Sequence, residues 1–287
     1  MEARSSYVKG YASLLLLTLL WGSTFPFIKI AVVEVGYAHY VALRHVAAAL
    51  ALTPIAVKAW RQLRGTWRPG AVLGALYFAG ITLQGWGMEF TTASNAAFIT
   101  SLSVVMVYLI EAARGRAVFK LSLASSVVLS VVGVYLLSFS VGRLEPRLGD
   151  LIVLAGAFFW ALQVIAVDAY TTRHSLLSLL FLEVAFTAVG GLALIVSAPH
   201  PSAESLSRAM APLLYLALVC TLATNALQLY GQRYVISVGA AVTYTLEPVF
   251  AALLSSLLLS EYMQPMQVAG AALIVLAVAL SARGLNL

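Results

Sequence analysis

Polar side chains recur in the middle of otherwise apolar runs of this chain. They are Trp21, Ser23 and Thr24; Gln84; Thr100, Ser101 and Ser103; Trp160 and Gln163; Asn225 and Gln228; and Tyr244, Thr245 and Glu247. Lipid cannot meet the four hydrogen-bonding needs of an amide, and a charge at a bilayer centre costs about 2.5–3.5 kcal/mol on insertion scales. Residues of these types at one depth are therefore expected to face a shared polar space. The chemistry open to them is reversible binding, through hydrogen bonds, aromatic faces and one or two charges. The competing reading has Ser and Thr bonding their own helix carbonyls and the amides joining helices.

Lys29, Arg44, Asp168 and Glu183 also stand inside the runs. Lys29 and Asp168 fall late in theirs and are expected to reach the interfaces. Arg44 and Glu183 lie several residues in and, with Glu247, are the candidates for gating or proton coupling. Glu247 precedes Pro248, whose ring lacks an N–H and collides with the carbonyl four residues back, at Tyr244, so a helix must bend there. Pro26, after Thr24, gives the first run a similar bend. A freed carbonyl beside a carboxylate could hold an ammonium group or a proton; the alternative is a bend in which Glu247 pairs with Arg44 or Lys29. Trp21 and Trp160 lie away from the interface where tryptophan settles, and offer either a flat cavity wall or close helix packing.

Composition shows what must position these residues. Of 287 residues, 62% are hydrophobic and 10% are charged, against roughly 25% charged in a soluble domain; mean hydropathy is +0.96. A bilayer core about 30 Å thick takes about 20 apolar residues per helix, and an open sheet edge cannot be satisfied in lipid. Cuts at charge clusters and turn residues give ten spans, near 11–32, 38–57, 70–90, 95–113, 121–140, 149–169, 176–197, 211–232, 239–259 and 265–282. The first outruns a signal-peptide core and lacks an A-x-A-like cleavage site, so it reads as a retained span. A single cysteine, Cys220, allows neither an internal disulfide nor a cysteine metal site, and no cofactor is expected.

The basic residues set the orientation. With the N-terminus inside, Arg4, Lys9, Lys58, Arg61, Arg64, Arg68, Arg114, Arg116, Lys120, Arg173, Arg233 and Arg283 fall on the inner face, and Arg143, Arg147 and Arg208 on the outer. This bias predicts cytoplasmic termini in a multi-pass protein of the plasma membrane. It also accounts for the net charge of +6 without nucleic acid.

The halves repeat. A shift of 144 carries Leu83-Gln84 onto Leu227-Gln228, Gly87 onto Gly231, Ala96-Ala97 onto Ala240-Ala241, Leu102 onto Leu246, Val105 onto Val249 and Leu109 onto Leu253. A shift of 139 carries Trp21 onto Trp160, Lys29 onto Asp168 and Arg44 onto Glu183. Residues 1–142 and 143–287 thus form two five-span units. Five is odd, so the second unit enters the membrane upside down relative to the first, an arrangement common in secondary transporters. Spans 5 and 10 hold small residues in register, Ser126 with Gly270 and Gly133 with Ala277, which suit close packing and a scaffold role, with a monomer or a homodimer as the expected state.

"LLWGSTFPFIKIA" in span 1, Arg44 early in span 2, "TTASNAAFITSLSVV" into span 4 and "LEPVFAALLSSLLLSEYM" in span 9, followed by "VAGAALIVLAVAL", resemble the ten-span EamA-type members of the drug/metabolite transporter superfamily over nearly the whole chain. The resemblance implies a cytoplasmic N-terminus, two inverted five-helix repeats, a central cavity lined mainly by spans 1 to 4 and 6 to 9, and export or uptake of small organic metabolites. The chain departs from that pattern at "SLSVVM", where the family usually has a proline after the serine, and at "EAARGRAVFK", where it often has a Gly-Glu pair.

No G-x-x-x-x-G-K-[ST], H-E-x-x-H or G-x-S-x-G run occurs, which argues against an ATP-driven pump and an intramembrane hydrolase. The expected activity is secondary transport of amino acids or related amphiphiles by alternating access, in the export direction. An uncoupled channel or facilitator is the alternative, and a membrane-embedded enzyme a distant third. Trp21, Ser23, Thr24, Gln84, Thr100, Ser103, Trp160, Gln163, Asn225, Gln228, Tyr244 and Glu247 are the expected substrate contacts. The absence of an arginine cluster argues against phosphorylated substrates.

Overall fold

The apolar runs are helices, as the lipid argument requires, in a computed structural model that describes residues 2–116, 121–139, 147–259 and 263–285. Lys120, Arg143 and the expected boundary between 142 and 143 lie outside the described residues. Span 1 is Glu2–Trp21, a turn at Gly22 and Ser23, and then residues 24–35; span 2 follows at once over 37–58. Gly36 separates them at φ 74° and ψ 158°, a conformation that costs glycine little and an L side chain much. The Tyr37 N–H, at the start of span 2, donates to Glu89 Oε1 at 3.0 Å, a carboxylate set against a helix N-terminus.

Span 3 is Trp60–Phe90, span 4 is Ala93–Ser101 with Ser103–Ala113, span 5 is Leu121–Phe139, span 6 is Leu148–Thr171 and span 7 is Leu176–Ile195. Span 8 runs from Ala203–Ala217 through a π-helical turn, Leu218–Ala223, into Thr224–Gln232; span 9 is Ser237–Tyr244 with Glu247–Leu259, and span 10 is Pro265–Leu285. Among the described residues, seven helical stretches are long and apolar enough to cross a bilayer, and two shorter apolar ones, Leu121–Leu137 and Ser237–Leu253, accompany them. Dividing Thr24–Lys58 at Gly36, and joining its first part to Glu2–Trp21, gives the ten spans.

The proline bends take a definite form. The first helix of span 9 stops at Tyr244, the Leu246 N–H closes a tight turn on the Thr243 carbonyl at 3.0 Å, and a new helix begins at Glu247. Pro248 then sits in a first turn, where a missing N–H has no intrahelical partner to lose. Pro26 likewise lies in the first turn of the segment that begins at Thr24. Span 4 breaks at Leu102, the register mate of Leu246, with Leu102 N–H on the Ile99 carbonyl at 3.1 Å. Val104 occupies the position matching Pro248, so no proline enforces the break in this half.

Backbone contacts carry the repeat. A methyl on Gly149 would stand 2.4 Å from the Gly87 carbonyl oxygen, joining spans 6 and 3; a methyl on Gly231 would stand 3.1 Å from the Gly10 carbonyl oxygen, joining spans 8 and 1. Gly10 and Gly149 are 139 apart and Gly87 and Gly231 are 144 apart, so the two contacts are mates under the sequence registers. Spans 3 and 6 run antiparallel, with Gly80 on Trp160 and Gly87 on Val153, while spans 3 and 7 run parallel, with Gly70 on Leu182 and Gly74 on Phe186. Odd-numbered spans thus share a direction, and the second five-span repeat is inverted. Gly133 and Gly270 bring spans 5 and 10 together, a methyl on Gly133 standing 2.8 Å from the Gly270 carbonyl oxygen. The small residues of these spans are used within the chain.

Lys29 and Asp168 are held by the ends of neighbouring helices. Lys29 Nζ donates to the carbonyls of Met88 and Thr91, at the C-terminal end of span 3. Asp168 Oδ2 accepts from the Ser237 N–H at 3.1 Å, at the N-terminal end of span 9. Helix ends leave carbonyls or N–H groups unpaired and carry matching partial charge, so the cation is held at a C-terminus and the anion at an N-terminus.

Candidate functional site

A cavity with about 710 Å³ of empty space, its mouth included, lies where the halves meet. Span 1 contributes Trp21, Thr24, Phe25 and Ile28, span 2 Arg44, and span 3 Tyr77, Ile81 and Gln84. The spacing of the last three puts them on one helix face. Span 4 gives Thr100, Ser101 and Ser103, span 6 Trp160, Gln163 and Val164, span 8 Gln228, and span 9 Ala241, Tyr244, Thr245 and Glu247. Among the described residues no lining side chain comes from spans 5, 7 or 10.

Each tryptophan meets a tyrosine edge-on. Trp21 and Tyr244 have ring centroids 5.2 Å apart at 63°, and Trp160 and Tyr77 4.9 Å apart at 89°. Gly80 makes room for the second pair, since a methyl there would stand 3.0 Å from the Trp160 indole. These rings supply the apolar and π surface that a substrate's body needs.

The amides are linked to one another. Gln84 Nε2 donates to Thr100 Oγ1 at 3.1 Å. Their mates in the second half, Gln228 and Tyr244, meet through Gln232, whose Oε1 accepts from Gln228 Nε2 and from the Tyr244 hydroxyl, each at 3.1 Å. Gln228 Nε2 also donates to Gln163 Oε1 at 2.9 Å, and Gln163 Nε2 to Glu183 Oε1 at 2.8 Å. Glu183 has no exposed surface and lies behind Gln163 instead of on the cavity; its Oε2 has no hydrogen-bond partner.

Arg44 lines the cavity but is held from behind. Its Nε donates to Thr221 Oγ1 at 2.6 Å, Nη2 to the Cys220 carbonyl at 2.7 Å and Nη1 to the Tyr40 hydroxyl at 2.6 Å. Residues 220 and 221 lie in the π-helical turn of span 8, where the widened backbone frees carbonyls from the regular ladder. The ion pairs among the described residues are Arg114–Glu111, Arg208–Glu34 and Arg208–Glu204. The pairing of Glu247 with Arg44 or Lys29 is therefore not formed: Arg44 bonds two hydroxyls and a carbonyl, and Lys29 bonds carbonyls at the end of span 3. Nor are the charges symmetric, because Glu247 is the register mate of Ser103, and Arg44 of Glu183.

Two expected contacts stand off the cavity. Ser23 Oγ donates to the Leu20 carbonyl at 2.8 Å and lies 2.6 Å from the Tyr215 hydroxyl, closing the span 1 break. Asn225 is fully buried, one turn from Gln228 and beside Tyr77. Tyr77, Tyr40 and Thr221 went unpredicted. Tyr77 was within reach, since it precedes Gln84 by two helical turns; nothing in the sequence marks the π-helical turn that recruits Thr221.

Comparison with known proteins agrees with this architecture. The EamA-like transporter family matches residues 8–139 and again 147–283. Two proteins of Archaeoglobus fulgidus, each described as an uncharacterized transporter, are similar. One is 34% identical over 270 residues, 92% of this chain and 83% of that protein, and the other 27% identical over 268 residues, 88% and 90%. A crystal structure 17% identical in sequence shares the fold, with a TM-score of 0.70 over 99% of each chain. The chain therefore belongs to the EamA-like transporter family, with two copies of its domain in one multi-pass membrane protein.

Proposed function

We propose that this transporter exports small organic metabolites, amino acids and related amphiphiles foremost, across the plasma membrane by alternating access. The observation that carries the reading is a single cavity built from both repeats, in which two tryptophans, amides from each half, Arg44 and Glu247 face one space. Trp21, Thr24, Gln84, Thr100, Ser103, Trp160, Gln163, Gln228 and Tyr244 bind the substrate, with Ser23 and Asn225 supporting the walls. Glu247 takes the ammonium group or a coupled proton, and Arg44 and Glu183 change partners as the halves rock. The units 1–142 and 143–287 move against one another, the bends at Pro26 and Pro248 giving each half a flexible point. Both termini lie in the cytoplasm, which labelling of terminal tags in intact cells tests directly.

Uptake and counterflow in proteoliposomes, against a metabolite panel and with and without a pH gradient, test the function. Saturable amino acid flux is expected, and Glu247→Gln lowers it by about 10- to 100-fold, the scale of one lost charge-assisted hydrogen bond. Linear flux with single-channel currents would replace the carrier by a channel.

A further inference from the structure

We propose that Arg44 is the anchor for a substrate carboxylate, so that the cavity selects carboxylate-bearing amphiphiles over the corresponding amines. The inference rests on the metabolite-carrier reading above and deepens it by assigning the acidic end of the substrate.

A guanidinium has five N–H donors in a fixed fork. Arg44 spends Nε–H on Thr221, one Nη2–H on the Cys220 carbonyl and one Nη1–H on the Tyr40 hydroxyl. One N–H remains on each terminal nitrogen, and these are the charge-assisted donors left for a carboxylate. Only 2% of Arg44 is exposed, and it lines the cavity. No carboxylate among the described residues pairs with it within 4.0 Å. A desolvated cation without a counter-ion gains strongly from an anion delivered to it. The three bonds already made fix the orientation of the fork before the anion arrives, which lowers the cost of binding.

The charge count narrows the class. Among the described residues Arg44 is the lone cation on the cavity wall and Glu247 shares that wall, so a monoanion is favoured and a phosphate dianion is disfavoured. The apolar remainder of the substrate lies against the Trp21–Tyr244 and Trp160–Tyr77 pairs. The sequence reading of Arg44 as a gate alone missed this role, because the groups that hold its guanidinium belong to the π-helical turn of span 8.

The test compares the full-length protein's affinities for a panel of apolar and aromatic amino acids with those for their decarboxylated amines and their amides, phenylalanine, phenethylamine and phenylalaninamide among them. Binding is read by ligand-induced thermal shift, and transport by counterflow. Wild-type protein is expected to bind the best amino acid about 10- to 100-fold more tightly than its amine or amide. Arg44→Gln brings the acid-to-amine affinity ratio to about one, Arg44→Lys restores part of the ratio, and Thr221→Val lowers it. Equal wild-type affinity for acid and amine, or an Arg44→Gln variant that keeps the preference, would overturn the anchor alone. A panel in which no compound binds or moves would overturn the amino acid reading and the anchor with it. The wild-type comparison decides the matter even where a variant fails to fold.

Discussion

Gly149→Ala prevents the protein from reaching wild-type stability, lowering it by about 3 kcal/mol or more, the upper end for overpacked sites. The added methyl would stand 2.4 Å from the Gly87 carbonyl oxygen, 2.8 Å from the Thr91 nitrogen and 2.9 Å from the Phe90 carbonyl carbon. All three are backbone atoms of span 3, so no side chain can turn away and the helices themselves must separate. The mate position is more forgiving. At Gly231 the crowding atoms are Leu14 Cδ2 at 2.4 Å and Leu14 Cγ at 2.6 Å, with the Gly10 oxygen at 3.1 Å. Gly231→Ala therefore costs less, because a leucine can change rotamer. Gly65 has nothing within 4 Å of its methyl position, and Gly65→Ala gains about 1 kcal/mol from helix propensity. Melting of the three variants in detergent should give the order Gly65→Ala, Gly231→Ala, Gly149→Ala from most to least stable. A Gly149→Ala protein that melts with the wild type would show that spans 3 and 6 are not in backbone contact.

Glu183→Gln inserts and folds but does not transport. Glutamine keeps the volume of the side chain and the oxygen that accepts from Gln163 Nε2 at 2.8 Å, so the fully buried packing is preserved. It removes the ability to carry and lose a charge. Glu183 is hydrogen-bonded to the cavity wall through Gln163, which accepts from Gln228 in turn at 2.9 Å; both amides line the cavity. A change of charge on the carboxylate would therefore reach the binding wall through two amides, without displacing a helix. The expected result is counterflow at the background of empty liposomes, with yield and melting temperature close to wild type. Full flux in Glu183→Gln would reduce the residue to a structural hydrogen-bond acceptor.

The fold was legible to the extent that lipid imposes it. Ten spans and the inverted repeat followed from hydropathy, basic residues and the two registers, because each is a constraint that acts along the chain; the starts did not, since the helices of spans 1, 3 and 8 begin at Glu2, Trp60 and Ala203, well before the expected 11, 70 and 211. The breaks in spans 1 and 9 could be read from Pro26 and Pro248, yet the break at Leu102 could not, since Val104 gives no local reason for it. Depth along a span identified cavity residues such as Gln84, Gln163, Gln228 and Glu247. Depth says nothing about rotation around the helix axis, which is why Ser23 and Asn225 were grouped with them and Tyr77 was not. The partners of Lys29, Asp168 and Arg44 are ends and irregular turns of other helices, and such partners carry no signature in the residue that finds them.

The missing inverted twins of Arg44 and Glu247 have a kinetic consequence. Substrate arriving from the two faces of the membrane meets these charges in different order and surroundings, so the two half-saturation concentrations differ. For a carrier without a coupled ion, zero net flux at equal concentrations forces Vmax/KM to be the same in both directions, and the maximal rates must then differ in the same proportion as the KM values. Oriented vesicles measured from each face under an imposed pH gradient therefore separate two kinds of machine: ratios that stay equal with unequal constants belong to a passive carrier with a lopsided site, and ratios that the gradient makes unequal to one that spends it.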